Sequence, residues 1–553
     1  GGNGELRGKS DWSTCDIDQF PGIRENIKLR FHTRHRINTS HCVRLRVLLP
    51  KPRPSVLNEI AHTNPTTTMA PPETQIVEPQ YNFITKDELA ERVKGGEILV
   101  IYNEKVYNLT KWINHHPGGV FAVKQMNGRD ATDEINLMHP PEVYTKRIHS
   151  FYEGELAADQ GLTSITKKQV KAAAVAEPPK AKAQKEYPKY DNEKIRQSFQ
   201  QLKAEVEAAG LYECNYWNYA RESCRYVTFF TLAIYLTVWG TKFWQHMAGA
   251  VFLAMFWHQI MFTAHDAGHN GITHIRKVDA LIGAFLGDFM GGLSIGWWKK
   301  SHYVHHIVPN DVENDPDVQH LPFFALSTRF FDGIHSSYFE RIMPFDFPSK
   351  CFVRIQHISY YIIMLFARFN LYNLSFQFLY LHPNAQYRNI ELAGMAFFFT
   401  WYPFLVSFLP DWPTRIAFVL LSNGLTAPLH IQITLSHFGM CMEDMGPNEP
   451  FVVRQLRTTM DVDCPEWMDF IHGGLQFQVI HHLFPRVPRH NLRACQPYVR
   501  KFCAEHGFTY HIYTFTKGNW IVLKALKDVA DQVVFFDKVA QYNAVNMAAG
   551  HHH

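Results

Sequence analysis

Charge is scarce in this chain. Only 19% of its 553 residues are charged, and the net charge of +4 includes no long arginine-rich helix interleaved with aromatics. That argues against nucleic-acid binding. The nine cysteines are scattered, odd in number and form no Cys-x-x-Cys pair. Neither a disulfide framework nor a structural zinc is therefore expected, and a reducing compartment fits best. The N-terminus lacks the apolar core of a secretory signal. Residues 1–78 show no sustained periodicity, and no methionine precedes Met69. Residues 1–68 are thus expected to be an extension upstream of a natural start at Met69, or else a disordered tail.

Histidine and aromatic residues are abundant: 31 His, 42 Phe, 24 Tyr and 12 Trp. The histidines cluster. His265 and His269 stand four apart, His302, His305 and His306 form a second group, and His481 and His482 follow Gln478 in a third. Residues at i, i+3 and i+4 share a helical face, so each cluster presents imidazoles, plus the Gln478 carboxamide, to one side. Four ligands suffice for a structural zinc, whereas eight or so imidazoles suit two metal ions. Imidazole-rich sites with open positions suit iron, among other transition metals, and permit O2 to bind.

Apolar stretches surround these clusters. Val227 to Trp244 and Met247 to Ala264 are about long enough to span a bilayer, and their short connection predicts an antiparallel hairpin. Gly394 to Pro410 and Ile416 to Ser436 make a second hairpin, bringing His430 and His437 onto one face two turns apart. Val278 to Trp298 is Gly-rich, carries Asp279 and Asp288, and is read as re-entrant. Ile355 to Leu381, flanked or interrupted by Arg354, His357, Arg368 and Asn370, is read as interfacial. On that count all three clusters emerge on one side. Ionisable residues at the edges of spans point to function. His437 is the better candidate for an added ligand and His430 the more even one. Asn314 to Asp317 and His320 are candidate partners that orient imidazoles. His258 is read as a packed or water-facing residue, His274, His335, His357, His382 and His490 as ordinary ones, and Trp297 and Trp298 as interfacial anchors.

Upstream the pattern differs. Thr85 to Glu88 has capping-box spacing, and Glu97 to Tyr102 and Lys105 to Leu109 read as short strands. Val106-Tyr-Asn-Leu-Thr-Lys-Trp112, His116-Pro-Gly-Gly119, Gly128-Arg-Asp-Ala-Thr-Asp133 and Met138-His139 follow. Here residues 79–156 resemble cytochrome b5. The resemblance implies an α+β domain in which His116 and His139 ligate haem b from opposite faces. Filling both axial positions suits electron transfer rather than oxygen binding. Gly118 and Gly119 would let the backbone turn sharply beside the ring, and His115 is read as a solvated neighbour. Residues 157–192, rich in Ala, Lys and Pro, read as a flexible tether, which raises the donor's effective concentration near its acceptor.

The three clusters, over a match of roughly residues 79–525, resemble membrane front-end desaturases with an N-terminal cytochrome b5 domain. Gln478 in place of the first His of the third box is a hallmark of that group. Residues 458–467 and 472–491 are similar in particular to fungal Δ8-sphingolipid desaturases. The resemblance implies a multidomain protein: the b5-like domain tethered to an all-α membrane domain (193–527, about four transmembrane helices as two hairpins plus a cytosolic helical cap), then a tail (528–553) with no metal role for His551–His553. It implies haem b, two non-haem iron ions and O2 as co-substrate, with electrons from NADH through a cytochrome b5 reductase. The expected product is a trans double bond at C8 of the sphingoid base of ceramide. The expected location is the endoplasmic reticulum membrane, with the b5 domain and histidine boxes cytosolic. Within the same chemistry the alternatives are an acyl-lipid Δ5/Δ6 front-end desaturase and a lipid hydroxylase. From another class, the alternative is a non-catalytic haem-linked lipid sensor.

Overall fold

The computed structural model describes residues 82–157 and 188–548. The expected start at Met69, most of the tether and His551–His553 lie outside the described residues. The first folded part is a four-stranded sheet in the order β1 (Phe83–Ile84), β4 (Tyr152–Leu156), β3 (Lys105–Asn108), β2 (Leu99–Tyr102). Helix α1 (Lys86–Lys94) starts where its sequence pattern places it, because the Thr85 hydroxyl accepts the Glu88 N–H at 3.1 Å. Of two short helices, α2 (Val120–Lys124) begins four residues after His116 and α3 (Thr132–Met138) ends just before His139. Gly119 enters α2 at φ +88°, a conformation that favours glycine.

Past the tether, α4 (Asn192–Ala208) buries Phe199, Leu202 and Val206. Then α5 (Tyr216–Val238) and α6 (Phe243–Gly268) pack against each other as the expected antiparallel hairpin. Helix α7 (Arg276–Ala284) runs into a π-turn at Phe285–Met290, and the chain doubles back at an angle of 117° into α8 (Ile295–Ile307). This bend lies within the Gly-rich segment from Val278 to Trp298. Among the described residues four helical stretches are long and apolar enough to cross a membrane: α6, α10 (Gln356–Leu381, preceded by α9, Phe347–Arg354), α11 (Arg388–Ser407), and α12 (Trp412–Gly424) joined to α13 (Ala427–Phe438); α5, which covers the expected span from Val227, is not one of them, whereas the segment read as interfacial is.

Helix α10 has the length and composition of a span, yet both its ends stay on the histidine side. Tyr360, near its start, bonds to Thr434 at 2.5 Å, three residues before His437. Beyond its other end His382 meets Lys300, two residues before His302. The buried Arg368 donates to the Gly291 carbonyl at 2.5 Å and to Tyr372 at 2.8 Å, so the interruption that marked this segment in the sequence is satisfied inside the bundle. Pairing such a group is what makes its burial tolerable.

The C-terminal part wraps the histidine side: α14 (Phe451–Thr458), α15 (Asp469–His472), α16 (Gln478–Leu483), α17 (Leu492–His506) and α18 (Phe515–Ala548). Residues 528–548, expected to be a featureless tail, continue α18. Val529 and Val533 are buried in the same core as Tyr360 and Leu435. The periodic apolar positions were there to see, but without the surface of α10 and α13 nothing marked them as core.

Candidate metal centre and its haem-type neighbour

In the small domain the rings of His116 and His139 face each other with centroids 5.8 Å apart. Each Nδ1 lies beside a nearby backbone carbonyl: Gly119 at 3.0 Å for His116 and Ile135 at 3.1 Å for His139. That fixes the tautomer with Nδ1–H donating and leaves each Nε2 as the nitrogen available to a ligand. Burial lowers the basicity of both imidazoles, His139 down to about 4, so each is neutral at physiological pH, as an iron ligand must be. The pair fits a haem with two axial histidines.

The other histidines converge in two groups. His265, His269, His302 and His481 offer nitrogens within 4.8 Å of one another, and so do His305, His437 and His482. His306 lies between the groups: its Nε2 is 3.0 Å from that of His302, and its ring stacks on His482 at 4.3 Å. Neighbouring residues on a helix point about 100° apart, so each His-His pair divides, with His481 in one group and His482 in the other.

The second group is oriented by groups from elsewhere in the chain. Asp315 Oδ2 lies 2.9 Å from His305 Nδ1. Gln455 Oε1 lies 2.9 Å from His482 Nδ1, while Gln455 Nε2 donates to the His306 carbonyl at 2.9 Å. The Thr458 carbonyl lies 3.2 Å from His437 Nδ1. All three imidazoles thus aim Nε2 inward, and those of His305 and His437 stand 3.3 Å apart. Buried and without a hydrogen-bond partner are Nε2 of His269, His481 and His482, and Nδ1 of His306. Orphaned nitrogens so far from water call for a ligand, and a metal ion is the one this donor set suits. Burial and then the surrounding imidazoles push the basicity of His481 and His482 well below the usual range, which keeps both neutral and ready to ligate.

Helix α16 is positioned by Asp461, whose Oδ1 accepts the Val479 N–H at 2.8 Å. The buried Arg489 ties the third box to α5 and α6 through Asp266, Glu222 and Thr263. Asp266 Oδ1 in turn lies 3.6 Å from His265 Nδ1. Gln478 heads α16, buried, one turn before His482. His430 is outside both groups, with its Nε2 3.5 Å from Thr426 Oγ1. Of the expected orienting residues, Asp315 holds His305, and Asp317 lies 3.9 Å from His302 Nδ1. Asn314 turns away to Asp311 and Ser337. His320 sits over the Asp317 carbonyl and against Phe438.

Trp298 differs from its reading as a membrane anchor. It stacks on His302 at 4.4 Å and meets His265 edge-on at 5.2 Å, forming a wall of the site. Its aromatic character matched an anchor, and only the convergence of α6 and α8 turned it inward. His490, read as ordinary, sits 3.2 Å from Glu222 in the Arg489 network. Gln455, Thr458 and Asp461 were missed in the sequence. They belong to no box; Thr458 and Asp461 lie in the 458–467 stretch that carries the family resemblance, but nothing in their spacing points at a histidine.

The two sites are neighbours. The small domain seats α2 on α8, and Val304, Ile307, Val308 and Tyr338 share one core with its Tyr107, Leu109 and Val123. A side chain at Gly118 would stand 3.3 Å from Tyr303, whose hydroxyl donates to the Gly268 carbonyl at 2.7 Å and whose ring meets that of His269 at 5.8 Å. From the third box, Arg486 donates to the His139 carbonyl at 2.9 Å.

A membrane-type helical domain with converging histidines, joined to a two-histidine haem-type domain, defines a redox protein that works at a lipid bilayer. The fatty acid desaturase family matches residues 242–514, and the cytochrome b5-like heme/steroid binding domain matches residues 85–157. The chain is 40% identical to a Delta 8-(E)-sphingolipid desaturase of Emericella nidulans, over 85% of this chain and 99% of that one. A protein of the same name from Kluyveromyces lactis is 40% identical over 81% of this chain and 93% of its own length. An acyl-lipid (9-3)-desaturase of Borago officinalis is 33% identical over 84% and 97%. The chain belongs to the lipid desaturases that carry a cytochrome b5-like domain. It is an oxidoreductase acting on lipid; the b5-like domain implies haem, and the desaturase family implies a di-iron centre.

Proposed function

We infer that this chain is a Δ8-(E)-sphingolipid desaturase, which places a trans double bond at C8 of the sphingoid base of ceramide. The observation that carries this reading is the pair of histidine groups, one buried and one partly buried, set directly against a haem-type domain in a chain 40% identical to proteins of that name. The balance is R–CH2–CH2–R′ + O2 + 2 e− + 2 H+ → R–CH=CH–R′ + 2 H2O. His116 and His139 would hold the haem, which would supply the electrons, drawn from NADH through a cytochrome b5 reductase.

His265, His269, His302 and His481 would hold one iron, and His305, His437 and His482 the other, with the His306 ring lying between the two histidine groups. With O2, the two irons supply the oxidising power that an unactivated methylene pair demands. The protein's own task is geometric. Asp315, Gln455 and the Thr458 carbonyl keep each Nδ1–H engaged so that each Nε2 points inward. Trp298 closes one wall against water, and Gln478 orients the third box beside His482. Holding one chain position at the site is what makes the reaction regiospecific. The haem-type domain and both histidine groups share one side of the helices, in keeping with a cytosolic-facing site in the endoplasmic reticulum membrane.

The test is expression in a yeast that lacks Δ8-unsaturated long-chain bases, followed by analysis of its sphingolipids. Appearance of the Δ8-(E) base is expected. New double bonds confined to fatty-acyl chains, the activity named for the Borago relative, would reject this reading. A hydroxylated base without the alkene would assign hydroxylase chemistry instead.

A further inference from the structure

Away from the two metal groups lies a second buried polar cluster that the reaction as described does not use. It consists of His258 and Gln259 on α6, His430 and Gln432 on α13, and His472 at the end of α15, each less than 10% exposed. Gln259 Nε2 donates to the Phe470 carbonyl at 2.6 Å and lies 3.3 Å from His258 Nδ1. His472 Nδ1 lies 3.2 Å from Gln432 Oε1. Three polar atoms remain without a partner: Nε2 of His258, Nε2 of His472 and Oε1 of Gln259. One buried orphan is costly, and three from two elements that pack together point to a missing polar occupant. The loop bearing His472 is pressed onto α6, since a side chain at Gly473 would fall 2.1 Å from the Phe262 ring.

Three observations describe that occupant. First, it is neutral. Among the described residues the nearby cations are already paired: Arg368 is held by the Gly291 carbonyl, Tyr372 and the face of Trp257, Arg225 over the Phe470 ring pairs with Glu222, and Arg493 pairs with Asp469. A phosphate or carboxylate would lack a counter-charge here, whereas hydroxyl and amide groups match imidazoles and carboxamides. Second, it reaches the lipid phase. The adjoining surface carries Trp467, Phe470 and Phe515, at 69%, 41% and 42% exposure, an aromatic rim of the kind found where lipid polar groups meet hydrocarbon. Third, its distance from the metal groups is set twice over. His258 precedes His265 by seven residues on α6, and His430 precedes His437 by seven on α13, each about 10.5 Å along its helix and on the same face.

We propose that this cluster seats the hydroxyl and amide groups at the head of the sphingoid base, and so measures out which methylene pair reaches the metal groups. An extended carbon chain with bonds of about 1.5 Å and angles of about 111° advances about 1.25 Å per bond. Seven bonds from C1 to C8 therefore cover about 9 Å, close to the two-turn rise on both helices. The proposal rests on the sphingolipid reading given above and adds to it the residues that select the substrate.

The test uses the full-length holoenzyme in phosphatidylcholine vesicles and a ceramide bearing a photoreactive group beside its amide. Crosslinking is expected on peptides containing His258 or His472, and ceramide should compete about tenfold better than 3-deoxyceramide, the worth of one or two hydrogen bonds. His258→Leu and His472→Phe should lose that preference with haem and iron content unchanged, while His258→Gln retains it. Crosslinks in the parent enzyme that map to other peptides would overturn the proposal, as would leucine and phenylalanine variants that still discriminate the 3-deoxy lipid. Capture of a photoreactive phosphatidylcholine in preference to ceramide would instead reject the sphingolipid reading itself.

Discussion

The two histidine sites are built on opposite plans. At the haem-type site each imidazole is oriented by a carbonyl three or four residues away in the same segment: Gly119 for His116 and Ile135 for His139. At the metal groups the orienting atoms come from afar. Asp315 is 10 residues from His305, the Thr458 carbonyl 21 from His437, and Gln455 27 from His482. A two-ligand site can be assembled within one small domain. A seven-ligand site cannot, because no single helix turns enough residues towards one point. Local assembly suits an electron carrier whose ligands occupy both axial positions. Assembly from several helices leaves a shaped space in which a substrate can be placed.

The largest effect expected is at the metal groups. His305→Ala or His481→Ala should abolish turnover and lower the non-haem iron content while the haem absorption persists. A variant that keeps both iron and rate would break the division of ligands drawn here.

The converse substitution sharpens the comparison. His116→Ala or His139→Ala should abolish the haem absorption and leave non-haem iron intact. Turnover should stop in a host lacking free cytochrome b5 and return in part when that protein is supplied. Substantial activity without either source would refute the electron relay.

Orienting residues come next. Gln455→Leu or Asp315→Asn should lower iron affinity or rate by about 10–100-fold, the range for outer-shell partners. Haem content should not change, and iron titration of the purified protein reads the difference. The long-range plan predicts this sensitivity. The haem-type pair has its Nδ1 atoms held by backbone carbonyls, which no side-chain substitution removes.

The smallest effect is at the contact between the sites. Arg486→Ala removes one hydrogen bond to the His139 carbonyl and should slow haem reoxidation by about fivefold. Stopped-flow absorption measures it, with both metal contents unchanged.

Much of this was legible beforehand, for identifiable reasons. The Thr85 cap, the two strands and the His116–His139 pair follow from residues close together in sequence, where backbone geometry does the positioning. The three boxes were legible as helical faces, and the bend before α8 as a Gly-rich apolar run with two carboxylates. Residues 355–381 were read as interfacial, whereas α10 has the length and composition of a span, with each end tied to a residue near the histidine clusters. Trp298 and residues 528–548 were misread for one reason: an aromatic side chain or an apolar stripe does not state which surface it will meet.

By itself the sequence determined which side chains share a helical face, since 3.6 residues per turn places positions i, i+3 and i+4 together whatever surrounds them. Only the tertiary structure decided how those faces combine. Adjacent histidines point about 100° apart, so His305 and His306, and likewise His481 and His482, face different neighbours. His437 from a fourth helix completes the group that His305 and His482 begin. The same packing brought Gln455, Thr458 and Asp461 under the boxes and gathered His258, Gln432 and His472 two turns away. Contacts across more than 20 residues depend on how helices cross, and the spacing of residues along one chain does not record it.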